Sequence, residues 1–292
     1  MAKKTNPDLS FQKGSQSKDV MRRFFKNKPA VAGTVILILI LSAFLISWIM
    51  IPEEACYTVK AVPFQKPSLE HWFGTDHIGR DVFARVMYGA RVSMTIGIVS
   101  TVISAAIGAL IGATCGYFGG RVDNVVMRFF DILACIPGML MIIALVAALG
   151  VGVGNLMVAM VVSMVPGFVR FVRATVLNLT DMEYIQCAKT YGTSNFSIIV
   201  HHVLPNALGP IIVLMAGNVA AAIMSAASFS FLGFGVQPPT PEWGAMVAEA
   251  RPFMRQASYL TLFPGLAIVL SAVSINLIGD GLRDALDPRL KD

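Results

Sequence analysis

Charged residues are scarce in this chain: they make up 14% of its 292 residues, whereas soluble domains carry about one quarter. Hydrophobic residues reach 55% and the mean hydropathy is +0.69. This composition excludes an ordinary soluble domain and predicts a protein of the lipid bilayer. The formal net charge of +6 could suggest nucleic-acid binding, but the basic residues gather at one end and beside apolar runs. That distribution is typical of membrane orientation, so we expect no nucleic-acid partner.

The residue patterns of catalytic and metal sites are also lacking. The four cysteines form no CxxC pair, which argues against a disulfide framework or a zinc site. His201 and His202 are adjacent, so on a helix they point about 100° apart and cannot act as an i, i+4 ligand pair. Neither HExxH nor the nucleotide-binding pattern GxxxxGK[ST] occurs. We therefore predict no catalytic residues, no metal site and no cofactor bound by this chain.

Six apolar runs predict an all-α polytopic membrane protein with six transmembrane helices. The runs are 30–51, 92–118, 132–149, 155–169, 207–231 and 258–279. None contains Asp, Glu or His in its apolar core, residues that ion-coupled carriers place at membrane depth. Energy for uphill transport would then have to come from outside this chain.

The distribution of basic residues predicts the orientation. With the N-terminus inside, the inner segments hold 16 of the 23 Lys and Arg residues, so both termini and the stretch 170–206 are expected in the cytoplasm. The predicted organisation is a cytoplasmic tail 1–28 too polar to fold alone, a first transmembrane helix 29–51, an extracytoplasmic connection 52–91, a core 92–280 of five transmembrane helices that includes the cytoplasmic loop 173–206, and a cytoplasmic tail 281–292.

Several local patterns refine this prediction. The apolar side chains between residues 82 and 87 fall on one side of a helix, which predicts a helix lying along the membrane surface. Pro137 is expected to bend the third span, and Pro166 lies inside the fourth. Gly108, Gly112 and Gly116 recur every four residues, a spacing that allows close helix approach; we favour packing within the bundle over a dedicated dimer seam.

The stretch 180–205 is the longest polar segment between two spans in the second half of the chain. Thr180 and Glu183 form a capping-box pattern, and Gly192 lies where a helix would end. Ser194 can cap a second short helix, which is expected to end before Pro205. The pattern predicts two short helices joined at a glycine corner, exposed at the membrane surface for another protein to dock on.

A second polar motif, Gly74 to Asp81, lies on the predicted outer side. Thr75 or Asp76 can cap the following helix, and Arg80 can pair with a carboxylate. We favour this structural account over direct contact of Arg80 with a substrate.

The stretch 180–205 resembles the EAA loop of the permease subunits of ABC importers: Glu-Ala-Ala, three residues, Gly, nine residues, Ile, one residue, Leu-Pro. The spacing is complete, while three residue types depart from the pattern, at Gln186, Cys187 and His202. The matching positions are Ala188, Gly192, Leu204 and Pro205.

Three further stretches, 74–93, 119–123 and 232–244, resemble the dipeptide, oligopeptide and nickel class of these permeases, in particular the second permease subunit. The resemblance covers residues 20–290. It implies a type I importer fold in the bacterial inner membrane, and it places Gly74, Thr75, Asp76, Gly79, Arg80 and Asp81 in an extracytoplasmic family motif.

The resemblance also implies partners: a second permease, two cytoplasmic ATPases that bind ATP and magnesium, and an extracytoplasmic solute-binding protein. The positions that match the EAA pattern and are expected to couple to the ATPases are Gln186, Cys187, Ala188, Gly192, His202, Leu204 and Pro205. We add Glu183 because it lies on the same first short helix, although it could instead only cap that helix. Short peptides are the expected substrates. Nickel, a metal chelate or a glutathione-like compound is the alternative within the family, and a self-sufficient channel is the alternative outside it.

Overall fold

The structure, a computed structural model, describes residues 16–50, 53–59 and 61–286, and this part of the chain is built of helices. The expectations for residues 1–15 and 287–292 lie outside the described residues. The helices are α1 (Gln16–Lys26), α2 (Lys28–Met50), α3 (Val82–Phe118), α4 (Gly120–Ala134), α5 (Gly138–Leu149), α6 (Val153–Thr180), α7 (Glu183–Thr190), α8 (Asn195–Ile198), α9 (Leu204–Phe231), α10 (Trp243–Ala250) and α11 (Tyr259–Leu286). The all-α prediction is confirmed for these residues.

Within the described residues, four helical stretches are long and apolar enough to cross a membrane: α3, α6, Asn195–Phe231 and α11. Two bent pairs raise the number to six if each pair is one span. One joins α1 to α2 at 91°, and the other joins α4 to α5 at 83°. The structure thus supports a multi-pass helical protein with four to six spans.

Helix α3 corrects the prediction of a separate surface helix before the second span, since residues 82–118 form one helix of 37 residues. The Asp81 carboxylate caps its first turn by accepting a hydrogen bond from the Ala84 amide. Arg85, which the sequence pattern assigned to a surface helix, is buried and ion-paired. Because Asp76 and Glu249 neutralise the Arg85 charge, the helix can continue through this position into the membrane span. At 1.5 Å per residue it is about 55 Å long, well beyond a hydrocarbon core of about 30 Å.

Helix α6 likewise exceeds its predicted bounds of 155–169 and continues through Pro166 to Thr180. The apolar run 155–169 is short for a full crossing, and an extension toward Val172 is expected from the sequence, but Arg170 and Arg173 interrupt the apolar pattern there. In the structure these residues pair with Asp131 and Asp123 of α4, which lets the helix continue. The bend expected at Pro137 is confirmed, but it separates α4 from α5, so the predicted third span at 132–149 starts within α4.

The tightest packing joins α3 to α6 through the predicted glycine row. A Cβ on Gly112 would lie 2.7 Å from the Val169 carbonyl oxygen, and one on Gly116 would lie 2.9 Å from the Arg173 carbonyl oxygen. Gly108 meets Phe168 in the same way. The row therefore serves packing within the bundle, as favoured from the sequence, and it fixes α3 and α6 as parallel neighbours.

Contacts between the remaining helices give the direction of each segment. Gly97 of α3 meets Ile223 near the end of α9, whereas Gly279 of α11 meets Ala216, and Gly281 meets Ala30 of α2. Thus α2 and α9 run against α3, α6 and α11. The starts of α2 and α9 and the end of α11 therefore lie at the same end of the bundle as residues 180–205, and residues 61–81 lie at the other.

The segment before α2 differs from the expected polar tail. Residues 16–26 form α1, and Phe24 is buried against Ala30 and Ala285. The expectation that residues 1–28 have too little apolar surface to fold is therefore wrong for α1, because α2 and α11 supply the apolar partner surface.

Candidate functional site

The corner between α6 and α7 does not follow the predicted capping box. Thr180 is the last residue of α6, and its hydroxyl donates to the Leu177 carbonyl oxygen within that helix at 2.9 Å. The N-cap of α7 is Met182, whose side chain makes no capping bond. The corner is closed instead by the Gln186 side-chain amide, which donates to the Thr180 carbonyl oxygen at 2.9 Å. Gln186 thus joins the first turn of α7 to the end of α6.

The glycine corner is confirmed. Gly192 has φ +75°, a left-handed conformation that L residues rarely adopt, and an added Cβ would meet nothing within 4 Å. Ser194 caps the next helix by accepting a hydrogen bond from the Ser197 amide at 3.4 Å. Residues 183–198 are therefore two short helices meeting at a glycine, as expected.

The second short helix does not end before Pro205. It passes through one wider turn, Ile199–Val203, with π-helical hydrogen bonding, and continues as α9, so Asn195–Phe231 is a single apolar stretch. Pro205 lies in the first turn of α9. Its ring lacks an N–H and would crowd the preceding turn of a regular helix, which the wider turn relieves. Displacement of α8 would therefore pass directly into α9.

One buried side chain anchors α7 to the bundle. Ile185 is fully buried in a cluster that contains Ala113 of α3, Val172 and Val176 of α6, and Ala207 of α9. Two contacts on the same end add to it: the Tyr117 hydroxyl donates to Asn195 Oδ1 at 2.9 Å, and the Lys189 ammonium lies 5.1 Å from the Tyr117 ring centroid. The 180–205 segment is thus attached to three long helices at once.

The predicted coupling residues divide into two groups. Glu183, Gln186, Cys187 and Gly192 are exposed on or beside α7. Ala188 and Leu204 are half-buried and pack against the Ile185 cluster, while His202 lies in the wider turn and Pro205 at the start of α9. The expected set therefore includes both a surface and the packing beneath it.

Sequence reasoning missed two aromatic residues at this corner. Tyr191 precedes Gly192 and is 89% exposed, and Phe196 on α8 is 75% exposed. Aromatic side chains of this size rarely stay exposed without a partner, and they dominate the energetics of protein interfaces. Their signal in the sequence was an aromatic on each side of a predicted turn.

The opposite end of the bundle is held by the 74–81 motif. Gly74 and Gly79 have φ of +76° and +87°, and a Cβ on either would collide with a backbone carbonyl oxygen of residues 61–65. Thr75 is fully buried; it accepts a hydrogen bond from the Gln65 amide and donates one to the Val62 carbonyl oxygen. The prediction that Thr75 or Asp76 caps the following helix is wrong, because the N-cap of α3 is Asp81.

Arg80 is paired with carboxylates, as the structural account expects. Arg80 and Arg85 both bond Asp76 and Glu249, with N–O distances of 2.5 to 2.9 Å. The four side chains form a closed ring of alternating charge, called the ionic quartet below. Burial raises the pKa of Asp76, but hydrogen bonds from the Arg80 amide and guanidinium outweigh it, so this pKa lies below its ordinary value. The quartet fastens the 74–81 motif and α3 to α10.

Beside the quartet, Glu242 is fully buried and caps α10 by accepting hydrogen bonds from the Gly244 and Ala245 amides. The Ser93 hydroxyl of α3 donates to the same carboxylate at 2.8 Å, and the Trp243 indole N–H donates to the Val86 carbonyl oxygen at 2.9 Å. The start of α10 is thereby fixed to α3.

Residues 108–292 match the family model described as "binding-protein-dependent transport system inner membrane component". Residues 15–64 match a second model, the N-terminal transmembrane domain of oligopeptide transport permease C. The chain belongs to this permease family. It is an ABC importer permease of the peptide class and a multi-pass protein of the bacterial inner membrane, as the sequence motifs predict.

Curated relatives resemble the permease over nearly its whole length. It is 40% identical to the dipeptide transport system permease protein DppC of Alkalihalophilus pseudofirmus, over 98% of this chain and 94% of that protein. It is 42% identical to the glutathione transport system permease protein GsiD of Pectobacterium atrosepticum, over 94% and 91%.

A solved structure shares the fold of the permease. The inward-facing methionine ABC transporter MetNI superposes with a TM-score of 0.57, over 70% of this chain and 97% of that one, at 16% identity. At this identity the likeness concerns the fold alone, which supports the type I importer architecture expected from the motifs.

Proposed function

We propose that this permease forms, with a second permease, the membrane path of an ATP-driven importer of short peptides. The dipeptide and glutathione relatives support peptides as the substrate class. Two ATPases bind ATP and magnesium and dock on the 180–205 segment, which faces the cytoplasm together with both termini, while a solute-binding protein delivers peptides at the 74–81 end.

One observation carries the proposal: α7 is attached on one side and free on the other. Ile185 holds it in the cluster of α3, α6 and α9, while Glu183, Gln186 and Cys187 are exposed. A partner that moves the exposed side must shift α6 and α9 with it, because packed cores move as units. The connections at Gln186 and Gly192 are short, so a displacement of α7 is transmitted to the helices on either side.

Tyr191 and Phe196 are the proposed anchors of the ATPase contact. Exposed aromatics that become buried at an interface can each contribute about 2 kcal/mol or more. Replacing both by alanine in Y191A/F196A should weaken ATPase binding by a factor of about 30 or more per residue. Stability of the permease should not change, because neither ring is buried in the single chain.

The test measures the dissociation constant between purified ATPase and the permease pair in detergent. Phe129→Ala is the matched control, since Phe129 is 58% exposed on α4, away from the corner. Weaker binding in Y191A/F196A alone supports the proposal. Equal affinity of all three proteins would refute the docking surface, and uptake by the permeases without ATPase would favour a channel.

Coupling itself is tested at Gly192. Leucine there must adopt φ near +75°, at a cost of about 1–2 kcal/mol, so the corner should rearrange. We expect Gly192→Leu to keep ATP hydrolysis but lose most ATP-driven peptide uptake in proteoliposomes. Gly233→Leu is the control: φ is +87° with open space around it, at the other end of the bundle. Normal uptake by Gly192→Leu would contradict coupling through this corner.

A further inference from the structure

A cavity of about 620 Å³ opens between α6, α9 and α11 at the end that carries residues 180–205. Its walls are apolar on the α6 and α9 sides, where Phe171 and Pro210 lie, with Asn218 deeper along α9. The α11 wall carries Asn276, Asp280 and Arg283. The volume is within the range of small-molecule sites, about 300–1,000 Å³.

The polar residues of α11 form one row. Asn276, Asp280 and Arg283 are spaced by four and three residues, so they lie on one face of the helix, and all three are exposed in the single chain. Asp280 follows the predicted last span, 258–279, but α11 continues to Leu286. The Asp280 carboxylate and the Arg283 guanidinium, both on α11, therefore face a largely apolar cavity.

These two charges are free of ion pairs within the described residues. Several other charged side chains of this end have polar partners: Arg173 pairs with Asp123, Arg170 pairs with Asp131, and the Asp284 carboxylate accepts a hydrogen bond from the Asn27 side chain. Asp280 and Arg283 take part in none of these contacts. Because both side chains are exposed, a ligand that enters the cavity can reach them, and a ligand group of opposite charge would form a charge-assisted contact with each.

The spacing of the two charges sets what can match both. Side chains three residues apart on a helix have Cβ atoms about 5–6 Å apart. An extended dipeptide spans at most about 7 Å, with an ammonium at one end and a carboxylate at the other. Carboxylate and guanidinium groups are the strong hydrogen-bonding partners of those two termini.

We propose that this cavity binds a zwitterionic dipeptide, with its ammonium group on Asp280 and its carboxylate on Arg283. The inference rests on the proposed function and narrows its substrate class. Asn218 and Asn276 face the peptide bond, and the apolar walls accept side chains without selecting among them. A peptide of four residues in extended form spans about 14 Å, so it reaches only one of the two charges.

The cavity is placed where coupling can act on it. Pro210 lies in α9 a few residues after Pro205, on the helix that continues from α8. A shift of the 180–205 segment therefore moves the α9 wall against the α11 row.

The test compares Asp280→Asn and Arg283→Gln in the complete importer. Equilibrium binding of labelled dialanine, N-acetyl-dialanine, dialanine amide and tetra-alanine is measured on the reconstituted complex without the solute-binding protein. Asp280→Asn should weaken dialanine binding about tenfold to a hundredfold, the loss of one charge-assisted contact, but leave N-acetyl-dialanine unchanged. Arg283→Gln should show the reciprocal pattern with dialanine amide. Asp284→Asn, which alters a carboxylate on the same helix that already has a partner, should bind as wild type.

Three outcomes would overturn the proposal. Equal losses for all four peptides would indicate a structural role, and wild-type affinities in both variants would show that the charges do not touch the peptide. If the variants lose the two-permease complex on size-exclusion chromatography while their relative affinities for the four peptides stay unchanged, the row on α11 contacts the partner permease and not the peptide. If the wild-type importer transports dialanine in these cases, the proposed function stands and only this site fails; if it transports no peptide, the proposed function itself fails.

Discussion

Glu249→Gln is expected to destabilise the permease more than any exposed ion-pair change. Glu249 accepts hydrogen bonds from Arg80 and Arg85, whose side chains are only 4% and 3% exposed. Glutamine would leave two buried guanidinium groups sharing the single carboxylate of Asp76 and would point an amide N–H toward one of them. Breaking a buried pair costs about 3–5 kcal/mol. Because the Glu249 side chain is 19% exposed and glutamine keeps one acceptor, we expect about 2–3 kcal/mol.

The assay is the thermal midpoint of the purified permease pair in detergent. Each kcal/mol shifts the midpoint of a domain of this size by about 2–4 °C, so Glu249→Gln should lower it by about 5–10 °C. Asp131→Asn is the control. Asp131 pairs with Arg170 at the surface, where the Arg170 side chain is 44% exposed and the Asp131 side chain 56% exposed. Such a pair contributes about 0–1 kcal/mol to stability. Equal shifts for the two variants would refute the reasoning that burial makes the quartet strong.

Three further predictions concern packing, pH and the α10 cap. Gly112→Leu should abolish the folded subunit, measured by yield after detergent extraction, whereas Gly167→Leu should not, because an added Cβ there meets nothing within 4 Å. The pKa of Asp76 lies below its ordinary value, so the Asp76 carboxylate contributes fully to stability when the pH is above that ordinary pKa. The contribution is lost as the pH falls through the lowered pKa of the folded state. The acid-induced fall in thermal midpoint should therefore be shallower in Asp76→Asn than in the wild type. Ser93→Ala should cost about 1–3 kcal/mol by removing a hydrogen bond from the fully buried Glu242 carboxylate, and an unchanged midpoint would contradict this.

Patterns that act over a few residues were sufficient for much of the candidate site. The Gly192 corner and the Ser194 cap follow from conformational preferences of single residues, and the glycine row of α3 follows from helical periodicity. The Thr180 cap was wrong for the same local reason. The pattern Thr-x-x-Glu is compatible with a helix start, but α6 already occupied Thr180.

Long-range pairing decided the rest. The predicted bounds of α3 and α6 were too short because the apolar runs start at residue 92 and stop at residue 169, and only the distant partners of Arg85, Arg170 and Arg173 show that the helices continue beyond them. Tyr191 and Phe196 were overlooked because exposure is not visible in a sequence.

The sequence by itself determined that this protein is an all-helical membrane permease with a helical corner for a partner, since apolar run length and turn chemistry are properties of neighbouring residues. Only the tertiary structure decided that Arg80 meets Glu249, 169 positions away, and that Asp280 and Arg283 face a cavity shared with α6 and α9. Such pairings depend on how the helices pack, and the packing depends on the whole chain.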